Sequence, residues 1–338
     1  MTVNQSHRRG RIFTLGIITL IVLFIAALCI GRYPISLHDF YLATKTELSG
    51  ADTYNPVITN IIFSLRLPRV TGACLIGAAL AISGTAYQSI FQNPLVSPDL
   101  LGVSMGAAVG AALAILLGLG IVITQVFAFF FGLLAVFLSI MIPRLMRQTA
   151  NLWLVLSGII ISGLMQAILG LLKYVADPES QLQDIVYWQL GSLSKVTMGN
   201  LLSVLPMFII GAAVLMFMRW HLTVISLGED SARAQGINVP LERNIVVICA
   251  TFLTAGAVCL SGTIGWIGLI IPHIARMIIG PNVRYSLPLS GLVGAIFLLL
   301  VDTLARTLSA GEIPLSILTG FIGTPIFIYI LLTKKVTV

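Results

Sequence analysis

Long apolar runs alternate with short segments that carry charge, proline or glycine along nearly the whole chain. Several runs reach about 20 residues, and at ~1.5 Å per residue such a helix crosses ~30 Å of hydrocarbon. The pattern therefore predicts an all-α, polytopic membrane protein that forms a single transmembrane domain over residues 1–338. The clearest predicted spans are 12–31, 70–91, 100–119, 121–143, 152–172, 196–218, 285–301 and 313–333.

The segment between Arg243 and Arg276 is unusual because its 32 residues include no Asp, Glu, Lys or Arg. It is too long for one crossing of about 20 residues and too short for two full crossings. One full helix followed by one short helix fits it better, which brings the predicted number of spans to ten. An even number places both chain ends on the same side of the membrane.

Composition excludes a water-soluble fold: 58% of the 338 residues are hydrophobic and 9% are charged, against about 25% charged in soluble domains. The net charge of +7 does not indicate nucleic-acid binding, because the charges lie between apolar runs. No cleavable signal is evident, since Arg8, Arg9 and Arg11 precede a run that is long enough to be the first span. The cysteines lack metal-ligand spacing and are expected to be small buried residues; they are Cys29, Cys74, Cys249 and Cys259.

Lysine and arginine are concentrated in alternate loops, which predicts the orientation of the chain. With both termini in the cytoplasm, the cytoplasmic segments hold twelve of the nineteen basic residues. These are Arg8, Arg9, Arg11, Arg144, Arg147, Arg219, Arg233, Arg243, Arg276, Arg284, Lys334 and Lys335. We therefore expect a multi-pass protein embedded in the lipid bilayer of an inner membrane, with both termini cytoplasmic.

A short sequence motif recurs at a spacing that suggests an internal repeat. Residues 83–85 and 261–263 are both Ser-Gly-Thr, and each lies about ten residues before a proline, Pro94 or Pro272. The offset corresponds to five helices, and an odd number of helices inverts the second copy. Inverted five-helix repeats are typical of transporters that alternate access between the two sides of a membrane.

Ionisable residues are almost absent from the predicted spans, which disfavours a carrier driven by a proton or sodium gradient. Asp302 and Arg306 are exceptions, and their spacing predicts an i, i+4 ion pair near the outer end of the ninth span. The chain lacks the phosphate-binding loop Gly-x-x-x-x-Gly-Lys-Ser/Thr, so if ATP drives it, a partner chain must bind the ATP and Mg²⁺. No clustered acid–base or nucleophile set supports an enzyme, and His273, without a second ligand at helical spacing, favours packing or hydrogen bonding over metal binding.

The loop after the sixth span carries the signals of a short helix. Ser226 and Glu229 form a potential capping box, and Gly236 can adopt the left-handed conformation that ends a helix. Small residues at 231 and 232 would let a partner approach closely. Capping boxes also occur in ordinary loop helices, so the pattern alone leaves docking of a partner as one of two interpretations. The candidate docking residues are Ser226, Leu227, Gly228, Glu229, Asp230, Ser231, Ala232, Arg233 and Gly236.

Several segments from about residue 60 to the end strongly resemble the iron-siderophore and vitamin B12 permeases of ABC importers. They are 66–69 (RLPR), 77–84 (GAALAISG), 93–103 (NPLVSPDLLGV), 227–229 with 232–233 and 236, 268–276 (GLIIPHIAR), 302–306 (DTLAR), 312–314 and 323–327 (GTPIF). The resemblance implies a dimer of ten-helix subunits around a central pathway. Two ATPase subunits and a periplasmic substrate-binding protein would be its partners, and a homodimer is preferred over a heterodimer.

The resemblance also implies roles for individual residues. The loop helix at 226–236 would sit in a cleft of the ATPase and couple hydrolysis to transport. Arg66, Arg69 and Arg306 would face the periplasm and pair with acids on the binding protein, although interfacial anchoring is an alternative for each. The cytoplasmic gate would be the loop Gln148, Thr149, Ala150 and Asn151.

Cargo identity is left open by the sequence. The resemblance implies a metal chelate, with iron-siderophores first and haem, cobalamin, molybdate and tungstate as alternatives. A secondary transporter driven by an ion gradient is the competing class of function.

Overall fold

The computed structural model describes residues 3–50, 54–148, 151–309 and 311–333, and its regular elements are helices. Eight helices in these residues are long and apolar enough to cross a membrane, and two shorter apolar helices bring the number to the ten predicted. In chain order, spans 1 to 10 are Val3–Cys29, Pro56–Ile90, Val103–Leu116, Gly120–Leu145, Asn151–Val175, Met198–Phe217, Val239–Ser261, Ile267–Ile279, Val283–Thr307 and Leu315–Thr333.

Four shorter α-helices and one 3₁₀-helix, Pro98–Leu101, lie between the spans in the described residues. Leu37–Ser49 and Gln181–Leu190 lie on the side where spans 1 and 5 end, whereas Arg219–Ile225 and Glu229–Ala234 lie on the other side. We call the side at which spans 2, 4, 6 and 8 end the basic face, because ten of the twelve basic residues named above, all except Lys334 and Lys335, belong to it by topology. The other side is called the opposite face.

Span 2 begins earlier than the predicted 70–91, at Pro56. Its first part includes a π-helical segment, Ile61–Arg66, and Pro68 lies in the first turn of the α-helical part, Leu67–Ile90. The helix continues through Pro68 because the preceding turn is π-helical, with the amide of Leu67 donating to Ile62 O, so the bond that proline cannot make falls where the π-helical turn gives way to the α-helix. The arginines that suggested a boundary lie inside the helix because their guanidinium groups are bonded within the chain, Arg66 to backbone carbonyl groups and Arg69 to carboxylates.

The two halves of the chain match in span order. The shorter apolar helices are the third of each set of five, spans 3 and 8. Spans 2 and 7, the second of each set, are both 78% buried over their apolar windows. The Ser-Gly-Thr echo is not part of this correspondence, because residues 83–85 lie within span 2 whereas Ser261 is the last residue of span 7. Interrupted or short helices in corresponding positions are the stronger sign of an inverted repeat.

Glycines let the central helices approach backbone to backbone. A Cβ at Gly77 would overlap the carbonyl oxygen of Gly294, and a Cβ at Gly84 would overlap that of Gly268. Spans 8 and 9 therefore pack directly on span 2. Such contacts matter in a membrane because lipid supplies no hydrophobic drive for helix association.

Candidate coupling and docking sites

The loop helix forms where the sequence predicts a helix, but it does not use the predicted capping box. Ser226 follows the helix Arg219–Ile225, and its hydroxyl donates to the carbonyl oxygen of Thr223 at 2.7 Å. The loop helix, Glu229–Ala234, starts after Gly228 without a side-chain cap. The capping-box prediction is wrong because Ser226 has helical dihedrals (φ −64°, ψ −16°), whereas a capping serine needs an extended backbone.

The end of the loop helix agrees with the sequence pattern. Gly236 has φ +78°, the left-handed conformation that glycine adopts without strain. The amide of Ile237 donates to Ala232 O at 3.0 Å and that of Gly236 to Arg233 O at 2.9 Å. These two bonds form a Schellman motif and satisfy carbonyl groups that the helix leaves open.

One surface of the loop helix is available to a partner and the other packs on the chain. Leu227 is 74% exposed, and Asp230 and Ser231 are also exposed. Ala232 is fully buried. The expectation that Ala232 would face a partner is therefore wrong, because its small side chain fits against the protein's own core. A bulky replacement there would disturb the fold before it disturbed a complex.

Glu229 ties the loop helix to span 7. Its carboxylate accepts hydrogen bonds from Arg243, in the second turn of span 7, and from Arg233 at 3.2 Å. Arg243 is 8% exposed, so its pair with Glu229 is better shielded from water than the exposed Arg233 pair. Nearby, Glu242 lies 3.0 Å from His221 of the preceding helix. A displacement of the loop helix would therefore be transmitted to span 7. The sequence carries no sign of this contact, since Glu229 and Arg243 are fourteen residues apart.

On the opposite face, Arg66 is buried at 7% exposure. Its guanidinium donates to the carbonyl oxygens of Leu28 at 2.7 Å, Cys29 at 2.9 Å and Tyr33 at 2.5 Å. The terminal carbonyl groups of a helix have no partner within the helix. Arg66 thus closes the end of span 1 from its place in span 2.

Arg69 and Arg306 share a buried carboxylate. Asp302 is 0% exposed and lies 2.9 Å from Arg69 and 3.5 Å from Arg306, which confirms the predicted pair within span 9. Arg69 also reaches Glu312, the residue near the start of span 10, at 2.7 Å. Arg306 donates to Ala27 O at 2.6 Å. These contacts join spans 1, 2, 9 and 10 at their ends.

The three candidate docking arginines are thus engaged within the chain. Side-chain exposure is 11% for Arg69 and 7% for Arg306. Pairing with acids of a binding protein would require an exchange of partners, and the accessible carboxylate to exchange is Glu312, whose side chain is 32% exposed. We call Arg66, Arg69, Arg306, Asp302 and Glu312 the outer charge network.

The candidate gate connects spans 4 and 5 at the basic face. Gln148 is exposed, and its amide donates to Pro143 O at 2.9 Å, which closes the end of span 4. Asn151 is the first residue of span 5. Thr149 and Ala150 lie outside the described residues, as do Lys334 and Lys335.

A face of span 5 has open space beside its glycines. At Gly163 and Gly170 an added Cβ would meet nothing within 4 Å in the part of the chain that the structure describes. Gln166 is exposed on the same helix. Small residues at such a face allow close approach of a second helix, and a glutamine there would be costly against lipid alone.

A cavity of about 580 Å³ opens at the opposite face. It lies between the helix Gln181–Leu190, the start of span 4, the end of span 7 and the segment before span 10. Its charged lining residues are Asp184, Lys195 and Glu312. Glu312 therefore belongs both to this cavity and to the outer charge network.

The other singled-out residues have structural contacts. His273 Nδ1 lies 2.9 Å from Leu269 O, and its ring meets Phe327 edge to face. This agrees with the hydrogen-bonding interpretation of His273. Across the described ranges no group of three or more His, Cys, Asp or Glu side chains is placed to hold a metal ion. The four cysteines are free, and Cys29, Cys249 and Cys259 are buried.

In the described residues, ten apolar helices in two matched halves, with a short loop helix fixed to a buried span, have the architecture of a membrane transport protein. The chain belongs to the FecCD transport family, which its residues 19–333 match.

Relatives agree along nearly the whole length. The molybdate import system permease protein MolB of Haemophilus influenzae is 40% identical over 310 residues, which are 91% of this chain and 91% of that protein. The cobalamin import system permease protein BtuC of Halobacterium salinarum is 34% identical over 95% of each chain. A solved metal-chelate type ABC transporter in an inward-facing conformation is 37% identical, with a TM-score of 0.87 over 96% of this chain and 100% of that one.

Proposed function

We propose that the chain is the membrane-spanning subunit of a binding-protein-dependent importer that moves a metal chelate into the cytoplasm. A partner ATPase binds ATP and Mg²⁺ and hydrolyses the nucleotide, and this chain is not itself an enzyme. The loop helix carries the proposal, because Glu229 links its exposed surface to the buried start of span 7. Its exposed residues dock in the ATPase, and span 7 carries the displacement across the membrane.

Two copies of the chain surround the transport pathway as a homodimer. The open face of span 5 supports this arrangement, since Gly163 and Gly170 leave room for a second helix and Gln166 then faces a polar pathway instead of lipid. The basic face lies in the cytoplasm of a bacterial or archaeal cell, with both termini there. The loop at 148–151 narrows the pathway at that side.

A periplasmic binding protein docks on the opposite face. Its acidic side chains displace Glu312 from Arg69 and form ion pairs with Arg69 in its place. Arg66 and Arg306 bind carbonyl groups at the end of span 1 and so fix the position of that helix end beside Arg69. Rim charges of this kind act on association rate and orientation more than on affinity.

The cargo proposed first is an iron-siderophore, in keeping with the family motifs. Molybdate is a second candidate, favoured by the 40% identity to MolB over 91% of the chain. Titration of the purified binding protein with ferric siderophores, haem, cobalamin, molybdate and tungstate separates these cargos.

Transport by the reconstituted complex tests the function itself. Proteoliposomes that contain the permease, its ATPase and the binding protein should accumulate the cargo only with ATP, and vanadate should stop the uptake. Accumulation driven by a proton or sodium gradient without the ATPase would instead identify a secondary transporter. Omission of the binding protein is the matched control.

A further inference from the structure

A second cavity, of about 410 Å³, opens at the basic face beside the loop helix. The end of span 2, the loop that follows it, the helix Arg219–Ile225 and the segment between spans 8 and 9 form its walls. Its lining residues are Gln88, Ser89, Gln92, Asn93, Pro94, Thr223, Ser226, Leu227, Arg276, Pro281, Asn282 and Val283. Among these, Arg276 is the single charged residue, and the others are neutral.

Most of the hydrogen-bond donors of the Arg276 guanidinium are left open inside this cavity. It is half-buried, and its one hydrogen bond within the described residues goes from Nη2 to Gln88 Oε1 at 2.6 Å. None of the ion pairs found in that part of the chain includes Arg276. A guanidinium group has five N–H donors in a planar fork that matches a carboxylate. A buried cation without a countercharge is costly, so the cavity favours an anionic occupant.

The walls of the cavity are fixed in place by hydrogen bonds between its separate segments. Gln92 Nε2 donates to Ile225 O at 2.9 Å, and the amide of Arg284 donates to Thr223 Oγ1 at 3.1 Å. These bonds hold the cavity next to Leu227, the exposed residue that precedes the loop helix. The mouth of the cavity is therefore continuous with the surface proposed to meet the ATPase.

We propose that this cavity receives an acidic side chain of the ATPase and that Arg276 binds its carboxylate through the free edge of the guanidinium. The inference rests on the proposed function. The ATPase would then contact the permease at two places, the loop helix and this cavity, and the second contact would lie between the end of span 2 and the start of span 9. One arginine without a second cation matches the single charge of a carboxylate better than the higher charge of a phosphate.

The test measures association of the cognate ATPase with the full-length permease in nanodiscs, at low and high ionic strength. Arg276→Gln should weaken association roughly tenfold to a hundredfold and reduce its salt dependence, because a charge-assisted bidentate contact is lost. Arg276→Lys keeps the charge without the fork and should fall between that variant and the wild type. Arg284→Gln removes an exposed charge from the same face outside the cavity and should change association little.

A second variant keeps Arg276 and supplies it with a carboxylate from within the chain. Gln88→Glu places a carboxylate oxygen where Gln88 Oε1 already accepts from Arg276, so it should neutralise the cavity and weaken ATPase binding as Arg276→Gln does. The change also removes the amide that donates to Val96 O and Leu269 O, so the variant is compared once its unfolding curve matches that of the wild type. Wild-type affinity and salt dependence in either folded variant would overturn the inference. So would stabilisation of the wild type by inorganic phosphate together with unchanged ATPase binding in Arg276→Gln, which would indicate a small anion as the occupant. A wild-type permease that binds no ATPase would instead refute the proposed function.

Discussion

Two carboxylates bind Arg69, and replacing each in turn shows whether burial or distance determines how much an ion pair contributes to the stability of the permease. Glu312 lies closer to Arg69, at 2.7 Å, than Asp302 does, at 2.9 Å. Asp302, however, is fully buried and also faces Arg306, whereas the Glu312 side chain is 32% exposed. The isosteric changes Asp302→Asn and Glu312→Gln remove one charge each and almost no volume. Because Asp302 is the more buried carboxylate, we expect Asp302→Asn to lower the stability of the permease much more than Glu312→Gln does.

The size of the difference follows from the local environment. With an effective dielectric constant of ~20, a charge pair ~4 Å apart gains about 4 kcal/mol, so two arginines give Asp302 about 8 kcal/mol of gross attraction. Desolvation offsets several kcal/mol of this, and the loss of one partner from a buried pair costs about 3–5 kcal/mol. Glu312 has one arginine and partial access to water, where a pair contributes up to about 1 kcal/mol.

The assay is unfolding of the purified permease in mixed micelles with increasing SDS, followed by circular dichroism. Asp302→Asn should lower the free energy of unfolding by about 3 kcal/mol or more, and Glu312→Gln by less than about 1 kcal/mol. Equal losses in the two variants, or a larger loss in Glu312→Gln, would refute the argument that burial sets the strength of the outer charge network. Binding-protein association provides a second readout, since Glu312→Gln removes the charged competitor for Arg69, which keeps its bond to Asp302, and should speed docking.

Three further predictions concern transport and assembly. Glu229→Gln should reduce cargo moved per ATP hydrolysed in proteoliposomes, because its bond to span 7 loses its charge. Glu47→Gln, at an exposed glutamate of the helix Leu37–Ser49 on the opposite face, is the control and should not. Gly262→Ala should abolish uptake with ATPase activity retained, because φ is +72° there and a Cβ would overlap the carbonyl oxygen of Trp188. Gly265→Ala is the control, since an added Cβ there has open space. Equal uptake in the two variants would contradict the prediction. Gly163→Leu should convert the homodimer to monomer in native mass spectrometry, and an unchanged dimer would remove span 5 from the interface.

The spans could be predicted from the sequence because their number depends on local hydrophobicity alone. The charged residues show where that reasoning stops. Arg306 and Asp302 are one turn apart, so their pair was predictable, but Arg69 is 233 residues from Asp302 and its burial depends on how spans 2 and 9 pack. Arginines in a first turn were therefore expected at a surface, whereas the structure encloses them.

The loop helix shows a second limit of sequence reasoning. Serine and glutamate at capping-box spacing do occur at 226 and 229, but the motif requires an extended serine. Ser226 is instead held in helical geometry because the helix Arg219–Ile225 runs up to it. The existence of the loop helix and its glycine end were predictable from residue types, whereas its start depended on the preceding segment.

Span 7 provides a physical route between the two faces. At the basic face it is tied to the loop helix through Arg243 and Glu229. At the opposite face Ser261, its last residue, accepts a bond at 2.8 Å from the amide of Ser192, just after the helix Gln181–Leu190. Gly262 packs so closely on Trp188 of that helix that no side chain fits between them. Because span 7 is buried and contacts both elements, we expect a displacement at the loop helix to shift the helix Gln181–Leu190, which lines the cavity of about 580 Å³ at the opposite face. Span 7 thus connects the site where ATP hydrolysis would act to the side from which the cargo would enter.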